Sequence, residues 1–126
     1  AMMLPVSVPN HSSLMVSVVA PLAQQIVDTP ATAGTIAVVQ NAEAIVLDGL
    51  DAQLASLKAH VANPVRWTNS VQFLIAQGVN TQVEFGPGKV LTGLAKRVDR
   101  SLNLVCVEDQ ASLEKALEMT KQQEAV

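Results

Sequence analysis

The chain has 126 residues, 49% hydrophobic and 15% charged, and a net charge of −3. That length buries roughly two thirds of the surface exposed on unfolding, and the composition is far from that of a disordered chain. With Trp67, Phe73 and Phe85 as its aromatic residues and no tyrosine, the chain offers no platform for stacking bases. Its acidic balance gives no footprint for a polyanion, so nucleic acid is excluded as a partner.

A single cysteine, Cys106, forms no internal disulfide and points to a reducing, cytoplasmic setting. The apolar opening from Ala1 to Leu22 is broken by Pro5, Pro9, Asn10 and His11. It lacks the basic lead of a secretory signal and is too short to cross a bilayer, so no membrane is expected.

In chain order, Leu4-Pro5-Val6-Ser7-Val8 alternates as a strand does and stops at Pro9, as though the chain began inside a strand. Leu14, Val18, Leu22 and Ile26 then fall on one helical face. Ser12 or Ser13 is the expected N-cap, and Pro21 is expected to kink or shorten this helix before the Pro30 region ends it. Thr35 to Val39 reads as a buried strand, and Asn41 to Gly49 as a loop with one extended stretch.

Leu50, Leu54, Leu57 and Val61 predict an amphipathic helix with Asp51 in its first turn. Asn63-Pro64 pairs an N-cap with a first-turn proline and predicts a helix through Val71, Leu74 and Ile75, ended by Gly78. A strand at Thr81 to Phe85 and a Gly86-Pro87-Gly88 turn follow. Then come a helix through Val90, Leu91, Leu94 and Val98, a strand at Leu102 to Val107, a helix around Ala111 to Met119 and a frayed tail after Lys121. Strands alternating with helices predict an α/β fold with a mainly parallel sheet covered by helices.

His11 follows a strand and precedes a helix, the place where functional groups gather in α/β proteins. It suits a catalytic base, the alternative being a surface histidine without a role. Such a base needs a nucleophile in reach, yet the chain has no Gly-x-Ser-x-Gly elbow. Ser12 and Ser13 are too close in sequence to face the imidazole and read as caps. Cys106, in Leu104-Val105-Cys106-Val107, reads as a small buried hydrophobe with a raised pKa.

Gly86-Pro87-Gly88-Lys89 falls short of a phosphate loop because Val83 and Val90 stand where Gly and Ser or Thr are required. A strand-to-helix turn explains the glycines, and a helix N-terminus there is open to an anion. Lys96, Arg97 and Arg100 crowd the far end of the same helix, where they complement its dipole and could meet an acidic partner. Asp48, Asp51, Glu84, Asp99, Glu108 and Asp109 form no evident acid/base couple, and no histidine cluster predicts a metal.

Three strings then stand in order: Leu4-Pro5-Val6-Ser7-Val8-Pro9-Asn10-His11-Ser12-Ser13-Leu14-Met15, Asn63-Pro64-Val65-Arg66-Trp67-Thr68-Asn69-Ser70-Val71, and Glu84-Phe85-Gly86-Pro87-Gly88-Lys89-Val90-Leu91-Thr92-Gly93-Leu94. Together they resemble the C-terminal segment of the malonyl-CoA:acyl carrier protein transacylase family, over nearly all of this chain and less than half of a typical member. The fold this resemblance implies is the C-terminal part of an α/β-hydrolase-like acyltransferase, starting near the end of its inserted ferredoxin-like subdomain. Residues 1–10 would end the insert and form the return strand, 11–120 would be part of the large subdomain, and 121–126 a frayed tail.

The function so implied is a ping-pong transfer of malonyl from malonyl-CoA to the phosphopantetheine thiol of acyl carrier protein in fatty acid biosynthesis. No cofactor is implied beyond these two thioester partners. By the same resemblance His11 is the base, and the backbone carbonyl of His60, where many relatives carry Gln, orients it. Lys96 and Arg97 match a basic pair for carrier-protein docking. The nucleophilic serine, the malonyl-binding arginine and the oxyanion hole belong to upstream segments, so the chain is expected to supply the histidine half and to be inactive by itself. Two alternatives remain beside this expectation: an acyltransferase of a polyketide synthase or malonate decarboxylase system, and a non-catalytic carrier-docking fragment.

Overall fold

The computed structural model describes residues 7–124. They fall into two units, one running to Ser70 and the other starting at Val71. The predicted strand Leu4 to Val8 lies mostly outside the described residues, and Ser7 and Val8 carry no strand.

In the first unit a 3-10 turn (Ser13–Met15) leads into α1 (Val16–Asp28). Ser12 does stand at the N-cap position of the 3-10 turn, but its side chain makes no capping bond: the hydroxyl donates instead to the Pro9 carbonyl at 2.7 Å. Nor does Pro21 shorten α1, which runs unbroken through it. Proline lacks the N–H that would bond the turn before it, but the helix contacts α2 (Leu50–His60), and packing decides over propensity.

The predicted strand at Thr35 to Val39 is displaced. β1 (Val39–Gln40) pairs antiparallel with β2 (Ile45–Val46) in a short hairpin, and Ala44 sits at φ 59° in its turn. α2 keeps its predicted place, but its buried residue is Ser56 while Leu57 stays exposed. The reason is polar: Ser56 Oγ donates to Glu43 Oε2 of the hairpin turn at 2.7 Å, and a buried hydroxyl must find such a partner.

The Asn63-Pro64 pair does not start the next helix. α3 spans Trp67–Ala76. The residue before proline is driven from helical torsions, and Asn63 instead closes α2, its Nδ2 donating to the Ala59 carbonyl at 2.8 Å. The Arg66 amide donates to the Asn41 carbonyl at 2.9 Å, which ties this extended stretch to the hairpin turn.

In the second unit β3 (Thr81–Phe85) and β4 (Asn103–Val107) pair in parallel, from Thr81 opposite Asn103 to Phe85 opposite Val107. The crossover is α4 (Val90–Val98), and α5 (Gln110–Glu124) packs on β4. α4 stops at Val98 rather than continuing to Arg100, and α5 continues past Lys121, where a frayed tail was expected. Val71, Ala95, Val105, Cys106 and Ala116 are the buried apolar residues of this unit. The chain is thus α/β, but among the described residues its sheets are two separate pairs, one antiparallel and one parallel, rather than one mainly parallel sheet.

Candidate active site

His11 occupies the turn just before the 3-10 helix with φ 62°, a left-handed conformation uncommon outside glycine. Two bonds to the C-terminal end of α2 hold it there. Its amide donates to the Val61 carbonyl at 2.9 Å, and its Nδ1 lies 3.1 Å from the His60 carbonyl oxygen. A carbonyl only accepts, so Nδ1 carries the proton in this contact, and Nε2 of the neutral ring keeps the lone pair.

The His60 carbonyl is itself braced, since it also accepts the Asn63 amide at 3.1 Å. Sequence reasoning placed Asn63 at the start of a helix and missed this role. The available signal was an asparagine just past the end of α2, where such residues close helices. The His60 ring lies against that of His11, centroids 4.5 Å apart and planes at 33°. Burial, followed by the neighbouring His11, holds the His60 imidazole below its ordinary pKa, against a smaller opposing pull from Glu43.

Ser12 and Ser13 stand beside His11 in sequence, and the Ser12 hydroxyl is directed to Pro9 as described. Among the described residues no three His, Cys, Asp or Glu side chains gather as a metal site would require.

In the second unit Lys96, Arg97 and Arg100 line a cleft of about 450 Å³ with Gly93. The sequence-predicted docking pair is therefore joined by Arg100 on one surface. The other end of α4 is closed to an external anion because Glu84 fills it. Its carboxylate accepts the amides of Leu91 at 3.0 Å and Thr92 at 2.7 Å, and these contacts, those with Thr92 first, hold the carboxyl below its ordinary range. The Gly86-Pro87-Gly88 turn that makes room for this has φ 129° and 92° at its glycines. Cys106 is buried, and its Sγ lies 2.8 Å from the Gly88 carbonyl.

No family model matches the chain. It is 40% identical over 119 residues to the malonyl CoA-acyl carrier protein transacylase of Escherichia coli K12, a match covering 94% of this chain and 38% of that protein. Among solved structures, the acyl-carrier-protein S-malonyltransferase of Burkholderia pseudomallei superimposes with a TM-score of 0.88 at 41% identity, over 94% of this chain and 38% of that one. A malonyl-transacylase solved in complex with its type II PKS acyl-carrier protein gives 0.86 at 40% identity, over 91% and 37%. The chain thus spans under two fifths of the length of the relatives it matches.

Proposed function

From a chain homologous along nearly all its length to a C-terminal segment of the malonyl CoA-acyl carrier protein transacylases, we propose that it supplies the histidine half of that transfer. The observation carrying this is the Nδ1 contact to the His60 carbonyl at 3.1 Å. It fixes the tautomer in which Nε2 accepts a proton.

In the proposed reaction a serine hydroxyl, from a segment outside this chain, attacks the malonyl thioester carbonyl and passes its proton to His11 Nε2. The tetrahedral adduct collapses, the C–S bond breaks, and His11 returns the proton to the leaving thiolate, giving coenzyme A thiol and a malonyl-serine ester. The second half runs in reverse: the phosphopantetheine thiol gives its proton to His11 and attacks the ester, and His11 reprotonates the departing serine oxygen. Each half passes through an imidazolium. The carbonyls bonded to His11 belong to the C-terminal end of α2, the negative pole of the helix dipole, which favours that charge.

Lys96 and Arg97, with Arg100 beside them, serve in this reading as the docking surface for an acidic carrier, mainly by speeding encounter. A carrier of polyketide synthesis is the second reading. It is supported by the likeness to the malonyl-transacylase solved with a type II PKS carrier, at the same 40% identity as to the Escherichia coli enzyme.

Intact-mass measurement tests the proposal. The chain by itself keeps its mass in malonyl-CoA, whereas a longer polypeptide joining it to a serine-bearing segment gains one malonyl group and yields it to carrier protein. His11→Ala in that polypeptide lowers transfer by about 10²–10⁴-fold. Acylation of the chain by itself, or full activity of His11→Ala, overturns the reading.

A further inference from the structure

We propose that the side chain of His60, and not only its carbonyl, positions His11: the His60 ring is the wall on which the His11 ring rests. This deepens the base role assigned to His11 and rests on it.

One residue presents two surfaces to His11. The His60 carbonyl holds Nδ1 at 3.1 Å, and its ring lies at a centroid distance of 4.5 Å with a tilt of 33°. The bond fixes one edge of the His11 ring and leaves it free to rock about that edge, whereas a flat neighbour restricts the rocking. His60 Nε2 is buried and makes no hydrogen bond among the described residues. Protonating it would create a buried donor without an acceptor, beside a second imidazole.

The charged groups acting on His60 are the His11 ring, from the turn before α1, and the Glu43 carboxylate, from the turn between β1 and β2. Glu43 is already engaged by Ser56 Oγ. Burial and His11 keep His60 neutral, with Glu43 opposing them. When His11 takes a proton during transfer, it therefore does so beside an uncharged ring, and the geometry that aims Nε2 persists. Glutamine at this position would supply the same carbonyl and no ring.

The test is a proton NMR titration of the two imidazoles in the full chain, with amide spectra to verify folding. In His60→Gln the His11 ring protons should lose the ring-current displacement that a ring 4.5 Å away produces. In His11→Asn the proton affinity of His60 should rise by roughly three- to tenfold. The proposal is overturned if the His11 ring signals do not move in the first variant, or if the His60 midpoint does not move in the second. Should either variant unfold, the wild-type chain decides: cross-relaxation between the rings should be present at about pH 8, where both imidazoles are neutral, and its absence there rejects the stack. None of these readouts requires acyl transfer. Uncoupled rings with a transfer-dead His11→Ala would reject the positioning role alone, and coupled rings with an active His11→Ala would reject the base role alone.

Discussion

A buried thiol becomes a nucleophile when a cation or helix N-terminus stabilises its thiolate, and Cys106 has the opposite surroundings. Burial first, then the Glu108 carboxylate, pushes its pKa up, with Lys89 opposing weakly. Its Sγ is near the Gly88 carbonyl at 2.8 Å and Glu108 Oε1 at 3.6 Å, both acceptors. Alkylation of the folded chain at neutral pH should run at least about tenfold slower than that of an exposed cysteine, recovering on denaturation. A folded-state pKa above the unfolded one contributes stability that is complete below about pH 8.5 and is lost as pH rises through the folded value. His60 works with the other sign. Its folded pKa is lowered, so its contribution is present above about pH 6.5 and lost on acidification through the folded value. Thermal scans between about pH 7 and pH 5 should show a steeper loss for wild type than for His60→Gln. Residue chemistry of this kind was legible in part. The strand around Cys106 announced a core thiol, and the resemblance set the His60 carbonyl at His11, a pairing across 49 positions that no spacing rule gives.

At the scale of elements the helix ends are built from side chains. Glu84 at the end of β3 caps α4, and Asp109 caps α5 by accepting the Ser112 amide at 2.8 Å, while Ser112 Oγ accepts the Asp109 amide at 2.9 Å. That reciprocal arrangement satisfies two otherwise unpaired donors. Glu84→Gln should lower the melting temperature measurably at neutral pH, and less so in acid. The Glu84 carboxyl is held below its ordinary range, so its contribution is present above about pH 4.3 and lost as pH falls. Val105→Ala removes a side chain that is 6% exposed in β4 and should cost about 1–3 kcal/mol, measured by denaturant unfolding. Regular elements were readable where apolar spacing was sustained, as for α2, β3 and α4. The hairpin was not, because β1 and β2 have two residues each, too few for a period. Asn63 misled because asparagine closes helices as well as opening them, and only the preceding turn distinguishes the two.

Taken as a whole, the chain leaves much apolar surface open: Ile36 is 82% exposed, Leu14 75% and Phe85 74%. Parallel strands are normally covered on both faces, and a pair of strands is a small sheet on which to base a unit. The isolated chain should bind a hydrophobic dye and associate with rising concentration, seen by light scattering. A concentration-independent monomer without dye binding would contradict this. The α/β class was legible from alternating patterns, whereas the split at Ser70 was not, since it falls inside α3 with no linker composition to mark it.

The paired bonds from His11 to consecutive carbonyls at the end of α2 also make the candidate base a chronometer. Both bonds tether one residue to neighbouring carbonyls, so losing them together frees the imidazole, and an amide exchanges its hydrogen with solvent only while its bond is open. Deuterium uptake at the single His11 amide therefore reports the fraction of time for which the imidazole is out of register, before any substrate is present.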